Sequence, residues 1–209
     1  MLKESGDKHF PIWLVGDSNT KNWADQLGTP LDPRHPAIHN IWTPILDVIQ
    51  DKVYRDSHLR IDASKLYIRN AIECATDKPD RREKDWSEKN QNKIKELNVL
   101  LRKYQPAFLF SFGSFSYEFC RRAMGEIPHH PFQYWTTKRL GEGFREKIFN
   151  FQINQTNIFP LLHATIARRY FIISHNYYCG YENANYFNYV GNNIAEIMLA
   201  HQQELKIWI

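Results

Sequence analysis

Three polar residues, Asp17, Ser18 and Asn19, follow the apolar run Ile12 to Val15 and one glycine, Gly16. Such a run reads as a buried strand, and the glycine permits a sharp turn where it ends. Side chains just past a strand of this kind stand where α/β proteins hold their ligands. Two chemistries are open. Ser18 would be a nucleophile if a base sat beside it, whereas Asp17 would order and deprotonate a water. All three residue types also cap helices, so a turn with a helix cap is the plain alternative.

Two further positions carry the same signature. Asn70 ends the apolar stretch KLYIRNA, and its amide offers a donor and an acceptor side by side, the geometry for reading a base edge or an imide. His163 follows FPLL and precedes ATIARR. With Thr165, Arg168 and Arg169 it makes a polar, cationic neighbourhood suited to an anion or to developing negative charge. His175, in SHNYY, is of the same type but is surrounded by aromatics. His35 and His39 stand four apart, yet Pro36 lies between them and no carboxylate partner is evident, so a helix-entry loop accounts for them better than a metal. No metal and no cofactor are expected.

The elements that must position these residues alternate along the chain. After the first strand and a proline-rich loop, Ile38, Ile41, Trp42, Ile45, Ile49 and Val53 recur at helical spacing. A second strand ends at Asn70. A helix is predicted from about Trp86 to Tyr104, with Asp85 and Glu88 resembling a capping box. AFLFSFG is a third strand ending in Gly113, and SFSYEFCRRAM a short helix. Residues 125–155 carry Pro, Gly and His and read as irregular, an insertion or lid. NIFPLLHA is a fourth strand whose Pro160 belongs at a sheet edge or bulge. YFIISH is a candidate fifth. A last helix runs from about Asn183 to Gln203. This alternation implies a single domain over residues 1–209, an α/β three-layer α/β/α sandwich around a mainly parallel sheet of four or five strands. In such a sheet the loops at Gly16–Asn19, Asn70–Glu73, Gly113–Ser116 and His163–Arg169 converge on one cleft.

The bulk composition narrows the classes. The 209 residues are 43% hydrophobic and 24% charged, which excludes a disordered or fibrous chain. A net charge of +4 tolerates a polyanionic partner without demanding one. Cys74, Cys120 and Cys179 are widely spaced and form no CxxC pair, which fits a reduced interior rather than a zinc ribbon. The polar start MLKESGDKHF has no apolar signal core and no stretch is long enough to span a bilayer, so a cytoplasmic protein without a membrane partner is expected.

Two resemblances follow from these strings. VGDSN resembles the opening block of the SGNH (GDSL-like) hydrolases, in which Ser18 would be the nucleophile of an esterase. That family's mid-chain Gly-x-Asn-Asp block does not appear, and the one DxxH string, Asp32 to His35, lies near the N-terminus. More of the chain resembles the uracil-DNA glycosylase superfamily. VGDSN looks like its first-strand glycine loop, and HPAIHNIW like the segment opening the next helix. YIRNAI is similar to its second-strand Asn block, FLFSFGSFSYEF to its third-strand block, and LLHATIARR to its His-Pro-Ser loop. Asn19 stands where the family has Pro, and the turn here is His163-Ala164-Thr165.

This second resemblance implies hydrolysis of the N-glycosidic bond of a flipped uracil or related base, in single- or double-stranded DNA. Asp17 would order the attacking water, Asn70 would hydrogen-bond the base, and His163 would stabilise charge on the departing base. Gly16, Ser18, Asn19, Gly113 and Thr165 would line the pocket, and Arg168, Arg169 and His175 would contact the nucleic acid. A non-catalytic member of that fold, binding a nucleotide or a protein, is the remaining alternative.

Overall fold

Apolar strands and amphipathic helices alternate along the chain, and the two sets sort into layers. The computed structural model describes residues 4–18, 38–169 and 171–209. Five strands form one sheet: β1 (Glu4–Ser5), β2 (Ile12–Gly16), β3 (Leu66–Asn70), β4 (Phe108–Phe112) and β5 (Asn157–Leu161). Their order is β1-β3-β2-β4-β5. The last four run parallel, and β1 pairs antiparallel with β3, Glu4 opposite Arg69. Strands covered on both faces read as continuous apolar runs, which is why IWLV and FLFSF are buried throughout.

Seven α-helices lie among the described residues: α1 (Thr43–Ser57), α2 (Glu88–Tyr104), α3 (Ser114–Ala123), α4 (Thr137–Phe149), α5 (Ala164–Arg169), α6 (Phe171–Cys179) and α7 (Tyr186–Ala200). The strand register sorts the side chains to two faces. Trp13 packs against Tyr67 and against Tyr104 of α2 on one face, the rings tilted to one another. On the other, Trp42 packs against Phe110 and Phe112, beside α1 and α7. Helix α4 closes the β5 edge, where Phe144 meets Phe159 at 6.0 Å. Each fully buried Phe or Leu in these layers contributes about 1.5–3 kcal/mol. The expected three-layer α/β/α arrangement around a mostly parallel sheet is therefore present, and Pro160 does sit on the edge strand.

Four local expectations are corrected. Within the stretch YFIISH, the residues from Phe171 on are not a strand but the start of α6, because Ser174, His175, Tyr178 and Cys179 are the buried positions, a helical and not an alternating spacing. The fifth strand is β1 instead, two residues with no apolar signal. Residues 125–155 are not irregular throughout, since α4 occupies 137–149, capped by Thr136 and anchored by Leu140 and Phe144. Its Gly141 marks close packing rather than a break: a Cβ there would stand 1.9 Å from the Tyr178 carbonyl oxygen. Finally, Ser87 rather than Asp85 caps α2, its Oγ accepting from the Asn90 N–H at 3.4 Å.

Candidate functional site

From β2 the chain crosses to β3 on one side, and from β4 it continues to β5 on the other. The carboxyl ends of β2 and β4 therefore flank the crevice where open α/β sheets hold ligands. A glycine ends each of these central strands, and a side chain from the end of β3 and one from the loop after β5 each come against one of them. A Cβ on Gly16 would stand 2.4 Å from Asn70 Oδ1, and a Cβ on Gly113 would stand 3.0 Å from His163 Cβ. Gly113 also has φ +90°, a conformation that L side chains rarely adopt. Asn70 and His163 thus lean toward the crevice from opposite sides. Four parallel strand ends at about 4.8 Å spacing put all of this within roughly 14 Å.

Backbone bonds lock the rim. The Ala71 N–H donates to the Gly16 carbonyl at 2.8 Å, the Ile72 N–H to the Asp17 carbonyl at 3.2 Å, and the Gly113 N–H to the Leu161 carbonyl at 2.8 Å. At His163, Nδ1 accepts from the Thr165 N–H at 3.3 Å and lies 2.9 Å from Thr165 Oγ1. With Nδ1 used as an acceptor, the neutral ring carries its proton on Nε2.

The Asp17 carboxylate is engaged by a residue that sequence reasoning missed. Lys78 pairs with Asp17 Oδ2, and its ammonium lies 4.9 Å from the Phe115 ring centre and 5.1 Å from that of Phe132. Asp17 Oδ1 is buried and accepts no hydrogen bond from a described residue. In the sequence Lys78 is one charge among many in ATDKPDRREKD, and only the fold brings it to the crevice. The loop holding Phe132 is itself tied down by Glu118, a fully buried carboxylate on α3. Glu118 accepts from Arg121 Nη1 (2.9 Å), Arg122 Nε (2.9 Å), the His130 N–H (2.8 Å) and Trp135 Nε1 (2.7 Å).

The other expected residues divide. Ser18 stands on the rim beside Asp17, but the groups a serine nucleophile needs are engaged elsewhere: Asp17 with Lys78, and His163 Nδ1 with Thr165. His175 is not in the cleft. It is completely buried between α6 and α7, with Nδ1 accepting from the Tyr186 N–H at 3.1 Å, which puts it out of reach of a nucleic-acid backbone. Burial holds its imidazole below the usual histidine range. Asn19 and the Asp32 to His35 string lie outside the described residues, as do the side chains of Arg168 and Arg169.

Among the described residues no group of three or more His, Cys, Asp or Glu could hold a metal ion, and no helix is long and apolar enough to cross a membrane. No protein-family model matches the chain, and no curated protein matches it.

Proposed function

We propose that the chain is a base-excision glycosylase, hydrolysing the N-glycosidic bond of a flipped uracil or related base in DNA. One observation carries the reading: Asn70 and His163 lean over Gly16 and Gly113 toward a crevice whose rim bears Asp17. The five strings similar to the uracil-DNA glycosylase superfamily support it, because the candidate residues Asp17, Asn70 and His163 come from three of them.

The chemistry runs as follows. Breaking the bond between C1′ and the base nitrogen sends the electron pair to the base and leaves an oxocarbenium-like sugar. The Nε2 proton of His163 donates to a base carbonyl oxygen, where negative charge grows. The Asn70 amide holds the base through one donor and one acceptor. Water donates a hydrogen bond to the Asp17 carboxylate, adds its oxygen to C1′ and gives up a proton to that carboxylate.

The test is direct. The protein is incubated with single- and double-stranded oligonucleotides containing uracil or hypoxanthine, and abasic sites are revealed by alkali. Cleavage by the wild-type protein and its loss in Asp17→Asn and His163→Ala are expected. Binding without cleavage would overturn the enzyme and favour the non-catalytic alternative. Rapid hydrolysis of p-nitrophenyl acetate that disappears in Ser18→Ala would instead favour an esterase.

A further inference from the structure

The ion pair at the crevice assigns a role to a residue outside the strand-end set. Lys78 is held at both ends. Its backbone closes the short helical turn Ala75–Asp77, where its N–H donates to the Ala75 carbonyl at 3.3 Å. That turn is fastened to the first turn of α2 by Asn90 Nδ2 donating to the Asp77 carbonyl at 2.9 Å, and by Lys89 paired with Asp77 at 2.7 Å. At the other end the ammonium is fixed by Asp17 and by the rings of Phe115 and Phe132, which meet edge to face at 5.6 Å. The pair is largely withdrawn from water, with side-chain exposures of 28% for Lys78 and 16% for Asp17. An ion pair in such a setting is screened less than a surface one.

The consequence falls on Asp17. Lys78 occupies one carboxylate oxygen, Oδ2, and Oδ1 is left as the buried acceptor. A carboxylate with both oxygens open could turn about its last torsion, which is a soft one. Held by one oxygen, it presents the other in a single direction. Resting on the glycosylase reading, we infer that Lys78 is the positioning residue for Asp17, holding the carboxylate by Oδ2 in the one orientation from which it directs the attacking water. The ammonium also offsets the negative charge that Asp17 would project onto the sugar. Asp17 therefore acts mainly by orienting and deprotonating water, and less by stabilising the oxocarbenium-like sugar.

The experiment is single-turnover excision from the uracil or hypoxanthine oligonucleotide that the wild-type protein cleaves, with oligonucleotide affinity measured by anisotropy. Lys78→Met is compared in the wild-type and Asp17→Asn backgrounds, with Lys78→Arg as the conservative variant and thermal melts as a check on folding. A misplaced catalytic group costs on the order of 100-fold in rate. Lys78→Met should lose about that much in the wild-type background, with affinity unchanged, and Lys78→Arg should restore a good part of it. In the Asp17→Asn background Lys78→Met should lose nothing further, because residues acting as a unit are non-additive. An equal loss in both backgrounds overturns the inference. So does weaker binding with a salt slope lower by about one, the signature of a phosphate contact. If Lys78→Met fails to fold, the Arg variant decides: a loss in it no smaller in the Asp17→Asn background than in the wild-type one overturns the inference. Full activity in Lys78→Met overturns this inference alone, whereas a wild-type protein inactive on both bases overturns the glycosylase reading and this inference with it.

Discussion

Replacing Glu118 with Gln keeps the shape of the side chain and removes its charge from the interior. In the native protein each carboxylate oxygen accepts two hydrogen bonds: Oε1 from Arg122 Nε and the His130 N–H, Oε2 from Arg121 Nη1 and Trp135 Nε1. In the variant one of these oxygens becomes an NH₂ group, so whichever way the amide turns, two donors face a donor. The arginines are almost as buried as the acid, with side-chain exposures of 8% and 6%. Removing one partner of a buried pair costs about 3–5 kcal/mol. Arg121 keeps Glu126 at 3.0 Å, and Arg122 keeps the carbonyls of Lys84 and His130. That residual pairing places the loss near the lower end, at about 3 kcal/mol. Urea unfolding reads it: with a slope of about 2 kcal/mol per molar, the midpoint should fall by about 1.5 M. A midpoint moved by less than about 0.3 M with an unchanged slope would refute the assignment of Glu118 as the anchor of the 126–136 segment. Hydrogen exchange confined to those amides would show local loosening.

Two further outcomes are expected. Gly113→Ala should cost about 1–2 kcal/mol from its left-handed backbone and should displace His163, seen as a shifted imidazole signal in NMR spectra. The unfolded chain takes up a proton at His175 as pH falls through about 6.5, while the buried ring resists until lower pH. Stability from this group is thus complete above pH 6.5 and is lost on acidification, at up to about 1.4 kcal/mol per pH unit inside that window. His175→Gln should shrink the difference in unfolding free energy between pH 7.5 and pH 5.5, and an unchanged difference would remove His175 as its source.

What could be read from the sequence depended on whether the signal was local. The strands declare themselves because IWLV and FLFSF are buried on both faces, and Pro160 marks an edge because it has no N–H to give a ladder. Asp17, Asn70 and His163 were legible as strand-end residues for the same reason. FIISH misled because a short apolar run has no decisive period, and only its burial separates helix from strand. In α4, Gly141 and Gly143 masked a helix because glycine looks like a breaker until its packing partner is known. Lys78 was out of reach altogether. Its role depends on Phe115 and Phe132, contacts that exist only after the chain has folded.

The two glycines at the crevice have a consequence for how such a site can change. Asn70 rests on Gly16 at the end of β2 and His163 on Gly113 just past the end of the neighbouring β4, so the spacing of these two paired strands sets the gap between the two glycines. A shift in ligand preference must therefore come from side-chain length and polarity at positions 70 and 163, or from the surrounding loops, while the frame stays constant.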